Sequence, residues 1–216
     1  NKKYRYMPYL AYYDETISLE ADTYAKGGWE KEYKVSYGIM ENFSGQLEIQ
    51  NELEEAYYEF VQKEYLDVPE NIEDAFVEIM EGMIGWNFDT IVDNIIELLK
   101  ENATYSLKPG ATPLGKDAVE YFYFENKKGY CEHFASAATL LLRMKGIPAR
   151  FVAGYKVGPA QFKNSTANGY EAVVTGKDAH AWAEAYVKGI GWLPVEPAPG
   201  YGDVSRWDGL QMFEDR

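Results

Sequence analysis

The chain is 216 residues long, 46% hydrophobic and 26% charged, proportions that suit a packed globular protein and exclude intrinsic disorder. Its 35 acidic and 21 basic side chains leave a formal charge of −14, which offers no general footprint for nucleic acid or an anionic membrane. A single cysteine excludes an internal disulfide, and that cysteine with two histidines, His133 and His180, makes a poor zinc ligand set.

Residues 1–46 read as a β-rich accessory segment, rich in Tyr and Gly, with strand-like pieces at Tyr4–Tyr13 and Glu32–Met40 around a turn at Lys26-Gly27-Gly28. Residues 47–216 form the second, larger region. It opens with helical spacing: Leu53, Ala56, Tyr57, Phe60 and Val61 share one face. A second helix starts around Pro69, Asn71 and Asp74 and carries Ala75, Phe76, Ile79 and Met80. A third has Phe88, Ile91, Ile95, Leu98 and Leu99 on one side. All three stripes read as core packing. Residues 104–116 read as an extended loop, because Pro109, Gly110, Pro113 and Gly115 interrupt any regular pattern.

A helix is predicted from about Asp117 to Glu125, then a turn at Lys127–Tyr130 into a long helix running from Cys131 to near Gly146, where Pro148 prevents continuation. The remainder reads as strands at Ala149–Val157, Tyr170–Thr175, His180–Val187 and Trp192–Val195, punctuated by Gly189, Gly191, Pro194 and Pro197. Helices first and an antiparallel sheet afterwards predict the α+β class. No run approaches the roughly 18–20 apolar residues of a spanning helix. No signal peptide is visible, and a chain that opens on Asn1 reads as an excerpt of a longer protein.

The helix that begins with Cys131 is the first candidate for chemistry. With Cys131 at zero and about 100° per residue, Glu132, Ser136, Thr139 and Arg143 fall on a narrow polar stripe. Phe134, Ala135, Ala137, Ala138, Leu141, Leu142 and Met144 form an apolar arc that contains Cys131. A lone cysteine is ordinarily a small buried hydrophobe. This one faces inward from the first helical turn, where unpaired N–H groups and the positive end of the helix dipole favour a thiolate and can receive an oxyanion. His133 projects about 200° away from Cys131 and reads as a packing residue rather than a base.

The segment His180-Ala181-Trp182-Ala183-Glu184-Ala185-Tyr186 alternates strictly, with alanines on one face and His180, Trp182, Glu184 and Tyr186 on the other. A nucleophile and its base are distant in sequence and adjacent in the fold, so His180 is the candidate base for Cys131. The expected geometry sets the sulfur within about 4 Å of a ring nitrogen. Glu196 follows a short Gly-containing hairpin, a position from which it can accept Nδ1–H of His180 and orient the ring. Tyr130, beside the cysteine, and Trp182, on the histidine's strand face, are the candidate substrate-binding side chains.

Gly129-Tyr130-Cys131-Glu132-His133-Phe134-Ala135, continuing through Leu140-Leu141-Leu142-Arg143 and Gly146-Ile147-Pro148-Ala149-Arg150, resembles the nucleophile helix of transglutaminase-like domains. Val152-Ala153-Gly154-Tyr155 resembles the strand that follows it. Asp178-Ala179-His180-Ala181-Trp182-Ala183-Glu184 resembles the histidine strand, and Gly191-Trp192-Leu193-Pro194-Val195-Glu196-Pro197 the acid strand. The resemblance spans about residues 129–199 and implies a papain-like core with the nucleophile helix packed on an antiparallel sheet. It implies a Cys-His-Asp triad in which Cys131 is nucleophile and His180 base. Glu196 stands where the family usually has Asp, one methylene longer, with Glu184 as the fallback acid.

The implied chemistry is acyl transfer through a thioester on peptide or protein amides, ending in hydrolysis or in crosslinking to an amine. The alternative is a non-catalytic module that binds a peptide or cell-wall partner on the same fold. No Walker, Rossmann or EF-hand loop is present, and the chemistry calls for no cofactor and no metal. The resemblance is to bacterial, membrane-anchored proteins that hold this domain outside the cytoplasm. It implies membrane attachment only through segments outside this chain.

Overall fold

The computed structural model describes residues 11–12, 38–39, 52–85, 87–161, 163–165 and 169–201. The chain divides into two compact units, Asn1–Gln46 with Asp208–Arg216, and Leu47–Trp207. In the first, strands β1 (Ala11–Tyr12) and β2 (Gly38–Ile39) pair antiparallel, each a short stretch of a longer predicted strand. The predicted turn at Lys26-Gly27-Gly28 lies outside the described residues.

The second unit begins with three helices, α1 (Glu52–Tyr65), α2 (Glu70–Gly82) and α3 (Phe88–Asn102). Helical periodicity places Ile72, Phe76 and Met80 of α2 and Val92, Ile95, Ile96 and Leu99 of α3 in the core. Asn87 starts α3 by accepting the Thr90 N–H at 2.8 Å. The α1 stripe differs from the expectation of a core face. Val61 is buried, but Tyr57 and Phe60 stay largely exposed and form an aromatic patch with Tyr186 and Trp192 at the far end of the sheet. Within that patch the Trp192 indole donates to the Tyr57 hydroxyl at 2.9 Å.

Two local readings are corrected here. The extended loop opens with a strand, β3 (Thr104–Tyr105), which pairs parallel with β4 (Lys128–Gly129). A two-residue strand whose partner lies more than 20 residues away leaves no periodic signal. The predicted helix from Asp117 is α-helical only over α4 (Ala118–Glu120), then widens to a π turn over Tyr121–Asn126. Asp117 caps it by accepting the Val119 N–H at 2.7 Å. The wide turn closes through Lys127 N–H to the Phe122 carbonyl, and Lys127 is left-handed at φ 52°.

Helix α5 (Cys131–Met144) is the centre of the core. Phe134, Ala135, Ala137, Ala138, Leu141 and Leu142 are fully buried. Thr139, placed on the polar stripe by sequence, is also buried and turns its hydroxyl back to the Ala135 carbonyl at 2.8 Å. The sheet that α5 packs against has the order β5 (Ala149–Tyr155), β8 (Ala179–Val187), β9 (Gly191–Val195), antiparallel throughout. The alanines at 181, 183 and 185 share one buried cluster with those of α5, so small side chains on both elements let helix and sheet approach closely.

A separate hairpin joins β6 (Lys163–Ser165), which sequence did not indicate, to β7 (Gly169–Glu171). The strand expected over Tyr170–Thr175 therefore ends at Glu171, and Val173 and Val174 are exposed. Asp178 closes the turn into β8 by accepting the Thr175 N–H at 2.6 Å and the Gln161 amide at 2.8 Å. Among the described residues no helix is long and apolar enough to cross a membrane.

Gly129 sets the approach of β4 to α5. A Cβ at this position would meet the His133 Cβ at 2.6 Å and Phe122 Cε2 at 2.7 Å. Gly129→Ala is expected to destabilise the fold by about 1–3 kcal/mol through overpacking. Gly82→Ala, where nothing lies within 4 Å of the added methyl, serves as control. Urea midpoints check this, and equal midpoints for wild type and Gly129→Ala would overturn the packing argument.

Candidate active site

Cys131 is the first residue of α5 and is buried, so its sulfur faces the protein interior. The helix start is organised around it. The Tyr130 N–H donates to Nδ1 of His133 at 3.4 Å, and the two rings meet edge-on at 4.5 Å. His133 also lies against Phe122 at 5.5 Å, which makes it a packing and capping residue.

His180 and Glu196 are brought into direct contact. Nε2 of His180 and Oε2 of Glu196 are 2.6 Å apart, and both side chains are buried. The β8–β9 register pairs Ala183 with Val195, so continuing it by one residue sets Glu196 opposite Trp182. His180 is then the diagonal neighbour on the same face, a separation of roughly 7–8 Å between backbones that a long side chain crosses. Both carboxylate oxygens are used. Oε2 also receives Lys156 Nζ at 3.4 Å, and Oε1 accepts the Ala198 N–H at 3.2 Å. Glu184, the fallback acid, is engaged elsewhere. It accepts from Arg150 Nε at 2.6 Å, and the Arg150 guanidinium lies 4.1 Å over the Trp192 ring.

One expectation differs from the structure. The nitrogen that meets the carboxylate is Nε2, not Nδ1, because Glu196 reaches the imidazole from the end far from the backbone. Nδ1 of His180 is buried and hydrogen-bonds to no described residue, the Cys131 thiol included.

Two tyrosines flank the cysteine and histidine segments. The Tyr105 hydroxyl belongs to a residue that pairs with Gly129, two residues before Cys131, and whose ring lies near-parallel to Phe134 of α5. That hydroxyl is 3.0 Å from the Tyr201 hydroxyl. The Tyr201 ring stacks on the His180 imidazole at 4.0 Å and 22°. Lys156 holds Tyr201 in place by donating to its carbonyl, with the ammonium 5.0 Å over the ring. Of the two candidate substrate contacts, Trp182 lies near-parallel to His180 at 6.2 Å, and its ring tip would meet a Cβ at Gly154 at 2.9 Å. Tyr130 is half-buried beside Cys131, and burial with the neighbouring Glu132 charge pushes its phenol up from the usual range.

Sequence reasoning missed Tyr105, Lys156 and Tyr201. Tyr105 sat in a segment read as loop, Tyr201 follows the last motif, and Lys156 lay inside the strand expected over Ala149–Val157, which ends at Tyr155, with no pattern to set it apart. Among the described residues no group of three or more His, Cys, Asp or Glu side chains is placed to hold a metal ion.

Residues 88–197, just over half of the chain, match the family described as the transglutaminase-like superfamily. A Bacillus subtilis protein, YebA, is 34% identical over 149 residues, 66% of this chain and 20% of that protein. A protein-glutamine gamma-glutamyltransferase of Pseudomonas aeruginosa is 44% identical over 97 residues, 45% of this chain and 14% of its own length. The chain thus spans a fifth or less of these two curated relatives. The crystal structure of the periplasmic domain of TgpA from Pseudomonas aeruginosa superposes with a TM-score of 0.52 at 33% identity, covering 64% of this chain and 47% of that one.

The His133 environment has a consequence for stability. Burial holds its imidazole below the ordinary value of 6.5, against the weaker pull of Glu132 and the Tyr130 backbone. As pH falls, the unfolded chain takes up this proton before the folded one does, so stability is lost from about pH 6.5 downward. His133→Asn keeps an acceptor for the Tyr130 N–H and removes the titration. The drop in Tm between about pH 7.5 and about pH 5.5 is expected to be smaller in the variant than in wild type. Equal drops would show that His133 is not held neutral.

Proposed function

The chain belongs to the transglutaminase-like superfamily, and from that premise we propose that it is a cysteine-dependent acyl-transfer enzyme acting on peptide or protein amides. The observation that carries this reading is the buried imidazole of His180. One nitrogen is bound to a carboxylate and the other hydrogen-bonds to no described residue, on a strand that packs against the helix opened by the chain's single cysteine. In this reading the Cys131 sulfur attacks a carboxamide carbon, a C–S bond forms, and the carbonyl pair moves to oxygen. Collapse breaks the C–N bond, and the leaving amine departs with a proton from His180. Nδ1 is the nitrogen left for that exchange, since Glu196 occupies Nε2 and stabilises the imidazolium. The thioester is then resolved by water, giving hydrolysis, or by an amine, giving a crosslink.

The name of the Pseudomonas relative supports a glutamine side-chain carboxamide as the acyl donor. The periplasmic origin of the TgpA structure supports a site of action outside the cytoplasm. Any attachment to a membrane would then come through segments outside this chain.

The test uses a glutamine-containing peptide with release of ammonia as readout, alongside the rate of Cys131 alkylation. Cys131→Ala is expected to abolish turnover with the fold retained. His180→Ala should do nearly as much damage, and Glu196→Gln should leave roughly 100-fold more activity than Cys131→Ala, because the acid makes no bond to substrate. Glu196→Asp should retain activity if the shorter acid still reaches Nε2. Wild-type alkylation at about pH 6 should outpace that of free cysteine and fall on His180→Ala. Alkylation no faster than free cysteine and indifferent to His180→Ala would replace the enzyme reading with that of a binding module.

A further inference from the structure

We propose that the Tyr105 hydroxyl is a catalytic hydrogen-bond donor to the oxyanion formed at Cys131, acting beside the backbone N–H of Cys131. The proposal rests on the acyl-transfer reading above and assigns that reading a residue it did not use.

The backbone of Tyr105 is fixed two residues upstream of the cysteine. β3 pairs Tyr105 with Gly129, and the next N–H, of Ser106, donates to the Gly129 carbonyl at 2.7 Å. Its ring is held near-parallel to Phe134, in the first turn of α5, at 6.3 Å and 23°. The side chain thereby lies beside the start of the helix, where the first four N–H groups have no intrahelical acceptor. The Tyr105 ring is thus beside the helical turn that Cys131 opens, and its hydroxyl meets that of Tyr201, whose ring stacks on His180, the candidate base for the Cys131 sulfur. An oxyanion on a carbon bonded to that sulfur needs this surrounding: an N–H on one side and a second donor on the other.

Tyr105 is suited to be the donor. Burial and the Tyr201 hydroxyl push its phenol well above the usual range, so it stays protonated wherever the enzyme works. When the Tyr201 hydroxyl donates to the Tyr105 oxygen across their 3.0 Å contact, the Tyr105 proton is left for the substrate. A chain of hydrogen bonds of this kind polarises its terminal donor. In the addition step the sulfur pair forms the S–C bond and the carbonyl π pair becomes the oxyanion. The Cys131 N–H and the Tyr105 O–H receive it, and its return to C=O expels the leaving group.

The experiment compares two reactions of the same sulfur. Acylation by p-nitrophenyl acetate passes through an oxyanion, whereas alkylation by iodoacetamide displaces iodide at a saturated carbon and does not. Background acylation is subtracted with Cys131→Ala. Tyr105→Phe, which keeps the ring, is expected to slow acylation by on the order of 100-fold while alkylation stays within about twofold. Tyr201→Phe, which keeps the ring on His180, should slow acylation less, because it only polarises the donor. Acylation and alkylation unchanged, or altered in the same proportion, would overturn the proposal in favour of a structural role. Faster acylation in Tyr105→Phe would overturn it in favour of a hydroxyl that blocks the site. A larger loss in Tyr201→Phe than in Tyr105→Phe would show the wrong donor was assigned. A wild-type sulfur that acylates no faster than free cysteine would defeat the acyl-transfer reading itself, a result visible before any variant is made.

Discussion

A carboxylate and an imidazole 2.6 Å apart, both buried, impose the main constraint on this domain. Removing a carboxylate from solvent costs several kcal/mol unless its lone pairs are satisfied, so the surroundings of Glu196 have to supply donors. They come from three separated pieces of chain: His180 on β8, Lys156 just past β5, and the Ala198 N–H in the turn after β9. The β5–β8–β9 register is what brings these three to one point. A slip of one residue would turn His180 onto the alanine face and leave the carboxylate buried without its main partner.

The aromatic shell follows from the same constraint. An imidazole whose Nδ1 hydrogen-bonds to no described residue is kept in a defined orientation by packing. Tyr201 stacks on one ring at 4.0 Å, and Trp182 lies near-parallel at 6.2 Å. Gly154, opposite His180 in the register, leaves the space that the Trp182 ring occupies. Gly129 does the corresponding job at the cysteine end, where β4 passes against His133 and Phe122. Lys156 serves both halves at once, as cation to Glu196 and as anchor for the Tyr201 carbonyl and ring.

Most of the scaffold around the site was legible along the chain. The three amphipathic helices, helix α5 and strands β5, β8 and β9 follow from hydrophobic period, turn residues and the Pro148 stop, because these depend on neighbours a few residues away. The aromatic face of α1 was read as core, yet Tyr57 and Phe60 remain largely exposed, since periodicity tells which side chains share a face and not how deeply that face is covered. The π turn at Tyr121–Asn126, the β3–β4 pair and the β6 strand were not legible. Each depends on a partner or a closing hydrogen bond that short segments do not encode.

By itself the sequence determined the class of fold, the helix with Cys131 at its start, the strand bearing His180 and the carboxylate that meets it, because motif spacing and period suffice for these. Tertiary structure alone decided which ring nitrogen takes the carboxylate, since that turns on the side from which Glu196 arrives. It also decided that Tyr105, packed beside the first turn of α5, meets Tyr201, which is stacked on the histidine. Nearly 100 residues separate these two tyrosines, and neither lies in a repeating pattern. Only the packing of β3 on β4 and the return of the chain past β9 bring their hydroxyls together.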